Sequence, residues 1–145
     1  MDSRQIEKIM KNFAGPYYWG TFPRNKMPTC VVPPFSLVCN TEPDTELGEH
    51  WIAIYVDGAE NGEYFDSYGL PPLHAEFTQF LDYNCRKWIW NSKQIQDISS
   101  MVCGQHCIFY LHQRYKGFSL EEIKDFFTKD AQQNDEIVKR YVRNL

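Results

Sequence analysis

No stretch of the chain is apolar for long enough to cross a bilayer. The opening residues, MDSRQIEKIM, carry no apolar run of the signal-peptide kind, so secretion is not expected. Internal repeats, low-complexity tracts and long linkers are absent, and 145 residues suit one domain spanning 1–145. Positive charge is not in excess: 15 Lys and Arg face 19 Asp and Glu, a net charge of -4. A mean field of that sign does not favour nucleic acid. The local basic groups, Lys139, Arg140 and Arg143 and the pair Arg86 and Lys87, read as solvated faces. The five cysteines are odd in number and show no regular spacing, so a disulfide framework is not expected and a reducing compartment fits.

What is present is a foldable chain, 43% hydrophobic and 16% aromatic. Asp2 and Gln5 form a capping box ahead of Ile6, Ile9, Met10 and Phe13, a helix that Gly15 and Pro16 end. Residues 20–36 are rich in turn formers and read as irregular, with one short strand. Ser36–Asn40 reads as a strand, and Thr41–Glu49 as a loop. Trp51–Val56 is apolar at every position, as a strand buried on both faces should be. With a turn at 57–62 and a strand at 63–68 it predicts a hairpin.

Pro71 and Pro72 precede a helix with Leu73, Phe77, Phe80 and Leu81 on one side, and 87–94 reads as a further strand. Helices are expected at 103–115, at 120–129 with Ser119 and Glu122 as capping box and Phe118 and Ile123 as staple, and at 135–143. The class is α+β: a small, mostly antiparallel central sheet flanked by helices.

Cys103 follows a polar stretch and opens an apolar helix. A thiol there meets the positive end of the helix dipole and unpaired N–H groups, which favour the reactive thiolate. Gly104 beside it would let a substrate backbone approach. The competing reading is a small buried hydrophobe. Cys107, one turn further in, gains less from the dipole. Cys103, His106, Cys107 and His112 lie within ten residues, but this spacing on one helix is a poor zinc framework.

His50 stands where a loop enters the buried strand, a place suited to holding a base. His74, His106 and His112 are alternatives by position. The hairpin would bring Asp66 beside His50, where its carboxylate can accept the Nδ1 proton and aim the ring at the thiol. Asp57 is a second carboxylate, at the far end of its strand. Gln96, seven residues before Cys103, could donate its amide to an oxyanion.

The order His, acid, Gln, Cys resembles the clan of cysteine peptidases formed by the adenovirus-type and ubiquitin-like-protein proteases, and is unlike the Cys-first papain order. G-E-H-W-I-A at 48–53, Y-F-D-S-Y-G at 64–69 and Q-D-I-S-S-M-V-C-G-Q-H-C at 96–107 carry the likeness. G-P-Y-Y-W-G-T-F at 15–22 and Asn40-Thr41 resemble the adenain family, the adenovirus maturation proteases.

The resemblance implies a cysteine endopeptidase with Cys103 as nucleophile, His50 as base, Asp66 as orienting acid and Gln96 as oxyanion donor. Trp51 and Gly104 would line a narrow groove accepting Gly near the scissile bond, as in viral precursor proteins or ubiquitin-like C-termini. No cofactor is required for the chemistry. The resemblance also implies a peptide activator joined through Cys85. The acidic charge, unlike that of the basic DNA-activated enzymes, argues against DNA activation. A monomer in the host nucleus or cytoplasm, or in a virion, is expected, with protein substrates and no membrane or metal. The rival readings are a modifier protease of the same clan, an inactive binding module and a structural zinc protein.

Overall fold

A computed structural model describes residues 1–48 and 50–145. Glu49, the last residue of the expected loop, lies outside the described residues. In chain order the elements are α1 (Ser3–Ala14), β1 (Tyr18–Pro23), β2 (Phe35–Asn40), β3 (Trp51–Val56), β4 (Asn61–Phe65), α2 (Ala75–Asn84), β5 (Lys87–Trp90), α3 (Cys103–Tyr115), α4 (Leu120–Asp125) and α5 (Ala131–Arg143).

The five strands lie in sequence order. The centre of the sheet, β2–β3–β4, is antiparallel, and each edge strand joins in parallel. A parallel neighbour needs a crossover. Helix α2 supplies it for β5, and residues 24–34 supply it for β1.

The every-position apolar pattern of β3 has its reason here. Ala53 faces one core together with α1, α3, α4 and α5, and Trp51 and Tyr55 pack against that core. Ile52, Ile54 and Val56 face a second core with Phe77, Phe80 and Leu81 of α2. Full burial of such side chains is worth roughly 1.5–3 kcal/mol each. Helix α3 lies between β3, α1 and α5 and is buried along most of its length.

The α+β class follows the sequence pattern, as do both capping boxes. Several boundaries differ. β1 begins at Tyr18, within a region read as irregular. Gly20, at φ +146°, marks a register shift in its pairing with β2, which lets a Gly- and Pro-containing segment serve as an edge strand. β4 ends at Phe65 rather than Tyr68, and β5 at Trp90 rather than Gln94. The cause is Asn91: its side chain takes the backbone N–H and C=O of Asp66 at 2.8 and 2.6 Å. Leu73 is exposed and precedes α2. Helix α4 stops at Asp125, and α5 begins at Ala131, capped by Asp130.

Candidate active site

Cys103 is the first residue of α3. Its N-cap, Val102, offers no side-chain hydrogen bond to the helix start. The open N-terminus therefore acts on the sulfur rather than on a cap. The Trp51 backbone N–H donates to Sγ at 3.4 Å, and the His50 ring acts on the same sulfur. Burial pushes the Cys103 thiol up. The His50 ring and its charge, with the Trp51 and Gly104 N–H groups, together outweigh it, and the thiol is held below its ordinary range.

His50 immediately precedes β3, and its carbonyl is fixed by the Thr41 N–H at 2.9 Å. Its Nε2 lies 2.8 Å from Asp66 Oδ1. The nitrogen assignment thus reverses the sequence expectation: Nε2 faces the acid, which leaves Nδ1 for the thiol. Asp66 sits one residue past the Ala53–Phe65 pair of the hairpin and so meets the ring from that side. Burial pushes the His50 ring down. The Asp66 carboxylate and the Cys103 sulfur outweigh burial and raise it to about 9.

Asp66 is held at several points. Its Oδ1 also accepts the Tyr68 N–H at 2.8 Å, and its carbonyl accepts the Gly69 N–H at 2.8 Å. Asn91, buried, pins its backbone from the other side. The Tyr68 ring stacks on His50, centroids 4.6 Å apart and planes 21° from parallel. Sequence reasoning missed both Asn91 and Tyr68. Tyr68 lies inside the acidic motif; Asn91 gives no local signal, since its role depends on how the chain returns beside β4.

Gln96 is fully buried. Its Oε1 accepts the Ser67 hydroxyl at 2.5 Å, and its Nε2 reaches Ser100 O and Oγ at 3.1 and 3.0 Å. Both amide hydrogens are therefore engaged within its own loop. Ile95 and Gln96 also donate backbone N–H groups to the Ser67 carbonyl, at 2.8 and 3.0 Å. The strand end carrying the acid and the loop leading to the nucleophile are thus one hydrogen-bonded frame.

Trp51 lines a cleft of 410 Å³ together with Met1, Phe22, Asn40, Glu46 and Gly48. Its Nε1 donates to the Met1 carbonyl at 3.1 Å. Gly104 is buried instead of lining the cleft. A Cβ there would meet Met1, Ile6 and Trp51 at 3.3–3.4 Å, so the close approach it permits is to those residues.

The other positions lie elsewhere. Cys107 is buried, and burial raises its thiol well above the usual range. His74 contacts Arg24, His106 pairs with Asp135 at 2.9 Å, and His112 contacts Tyr141. Cys85 is raised to about 11 by burial and by Asp57, Asp82 and Glu60. Asp57 binds its own turn through the Ala59 and Asn61 N–H groups. Among the described residues no three His, Cys, Asp or Glu side chains converge as a metal site.

A five-stranded sheet with a buried cysteine-headed helix behind it, a histidine just before β3 and an acid just after β4, is a fold shared with solved protease structures. No family model and no curated protein sequence matches the chain.

Among solved structures, two of the ASFV pS273R protease match with TM-scores of 0.55 and 0.69, at 24% and 16% identity over 72% and 94% of this chain. The chain spans 42% and 65% of those chains. ChlaDub1 from Chlamydia trachomatis matches with a TM-score of 0.68 at 16% identity, covering 99% of this chain and 89% of its own. The Chlamydia trachomatis effector Cdu1, in complex with ubiquitin, matches with a TM-score of 0.50 at 27% identity, over 66% of this chain and 46% of its own.

Proposed function

We propose that the protein is a cysteine endopeptidase acting through Cys103, His50 and Asp66. The observation that carries this reading is the line Asp66 Oδ1–His50 Nε2 at 2.8 Å, continued through the ring to a thiol that also receives the Trp51 N–H. A thiolate beside an imidazolium is a nucleophile and an acid already paired.

In this reading the thiolate attacks a peptide carbonyl carbon, and the carbonyl π pair moves onto oxygen. The Cys103 backbone N–H stabilises that oxyanion, joined by the Gln96 amide once a hydrogen is released from Ser100. As the tetrahedral intermediate collapses, the C–N bond breaks and imidazolium Nδ1 gives its proton to the departing amine. A water, deprotonated by the neutral His50, then attacks the thioester, and the carboxylate product and thiolate separate. Asp66 holds Nε2–H and stabilises the charged ring throughout.

The substrate in this proposal is an extended protein segment with Gly at the scissile bond, of the viral or virus-like precursor kind. A second reading, a protease for ubiquitin-like modifiers, is favoured by the likeness to Cdu1, whose structure is a ubiquitin complex. A peptide activator joined through Cys85 belongs to the same proposal; the raised Cys85 thiol would make that exchange slow at neutral pH. The chemistry needs only a reduced Cys103, which suits a reducing compartment.

The first test is alkylation by iodoacetamide at about pH 6, where an ordinary thiol of pKa near 8.5 is slow. Cys103 should react fast and His50→Ala should slow it, with Cys30 and Cys85 as internal references. A Cys103 no faster than Cys30 refutes the ion pair. Hydrolysis of a Gly-Gly peptide reporter and of a ubiquitin C-terminal reporter, each abolished by Cys103→Ala, separates the two substrate readings.

A further inference from the structure

Tyr68 touches three parts of the site. Its ring lies on the His50 imidazole, its N–H donates to Asp66 Oδ1 at 2.8 Å, and its hydroxyl points to the Ser100 carbonyl at 3.4 Å. Ser100 is the residue that engages the Gln96 amide and lies on the loop running into Cys103. Burial pushes the Tyr68 phenol up, so the hydroxyl stays protonated and remains a donor.

The other groups acting on His50 come from two elements. Asp66, from the end of β4, and Cys103, from α3, both favour its charged form, and the charge of His50 in turn helps to lower His106, one turn along α3. Asp97 and Asp135 act on Tyr68 through space. The Tyr68 ring face lies against the imidazole at 4.6 Å between centroids, and a π-face attracts a cation within about 6 Å of its centroid.

We infer that Tyr68 is a positioning residue for the nucleophile pair, its ring clamping His50 and favouring the protonated imidazole that keeps Cys103 ionised. The inference rests on the peptidase reading and names a determinant of that same site. The ring, rather than the hydroxyl, is the active part. Replacing it with an apolar chain removes the π-face and one wall against ring rotation, while the Tyr68 N–H to Asp66 is retained.

The test is the pH profile of Cys103 alkylation by iodoacetamide in wild type, Tyr68→Phe, Tyr68→Leu and His50→Ala. The small reagent makes the readout independent of substrate binding. Tyr68→Phe should stay within about twofold of wild type at every pH. Tyr68→Leu should fall about three- to tenfold near pH 6 and converge on wild type at high pH, where the thiol is ionised regardless. Tyr68→Met, an unbranched apolar replacement, carries the same expectation and keeps the test open if the leucine variant does not fold.

A leucine or methionine variant that tracks wild type near pH 6 overturns the inference. So does a loss of equal size at all pH values, which would mean altered access, or a Phe variant as slow as Leu. If wild type itself shows no His50-dependent reactivity near pH 6, the peptidase reading fails instead, so the two failures are distinct.

Discussion

Replacing Asp66 by Asn tests the site at its electrostatic root. The change is nearly isosteric and removes the charge 2.8 Å from His50 Nε2. In the intact site, burial opposes the charged ring and is overcome only by Asp66 and Cys103, which together bring it to about 9. Without the carboxylate, only Cys103 remains to oppose burial, and the ring is lowered from that value toward its neutral form. Cys103 then loses its cationic partner and returns toward ordinary behaviour. A thiol of pKa near 8.5 is only about 0.3% ionised at pH 6, so the ceiling on the loss of thiolate is about 300-fold. A stabilised thiolate is intrinsically less nucleophilic, which takes back part of that ratio. The expected fall in alkylation rate at about pH 6 is on the order of 10- to 100-fold, with the rates converging above about pH 9. Peptide mass spectrometry of Cys103 against Cys30 reads it directly. If the Asn variant alkylates at pH 6 as fast as wild type, the Asp66–His50–Cys103 line does not ionise the thiol and the reasoning is refuted.

Three further outcomes follow from the geometry. Asn91→Ala strips two hydrogen bonds from the buried Asp66 backbone and should cost roughly 2–4 kcal/mol in urea unfolding, with activity falling further than stability explains. Gly69→Ala places a Cβ 2.7–2.9 Å from the Lys93 carbonyl group and the Gln94 nitrogen at φ +76°, so a loss of about 2–5 kcal/mol is expected; a neutral result would mean that this turn is not rigid. For pH-dependent stability, His50 is raised from an ordinary 6.5 to about 9, so its contribution is complete below about pH 6.5 and lost as pH rises through about 9. A Cys103→Ser chain, in which that thiol no longer titrates, should lose at most about 3 kcal/mol over this interval, and adding Asp66→Asn should flatten the curve.

Local patterning shows most of the framework, because each cue has a nearby cause. The capping boxes at Asp2 and Ser119, the apolar run of β3 and the helix opening at Cys103 all depend on residues a few positions apart. What was illegible depends on chain return. β1 pairs in parallel with β2 across the crossover at 24–34, so nothing inside its Gly- and Pro-marked segment announces a strand. β4 ends where it does because of a side chain 25 residues away. In the site, motif order brought His50, Asp66 and Cys103 into view, and the structure sets them together. Motif order could not say which imidazole nitrogen meets the acid, since that depends on the ring's approach from the hairpin. Nor could it show that the Gln96 amide is engaged by Ser100, or that Gly104 is buried under Trp51 and Ile6.

The Met1 carbonyl accepts the Trp51 indole N–H, and Met1, Asp2 and Ser3 form one wall of the cleft beside that tryptophan. For anyone expressing the protein, this makes the two chain ends unequal. An affinity tag fused ahead of Met1 would emerge beside the Trp51 indole, at the wall of that cleft. A tag after Leu145 extends from the far end of α5. Fusions for assay or crystallisation therefore belong at the C-terminus, and an N-terminally tagged preparation should be cleaved before its activity is judged.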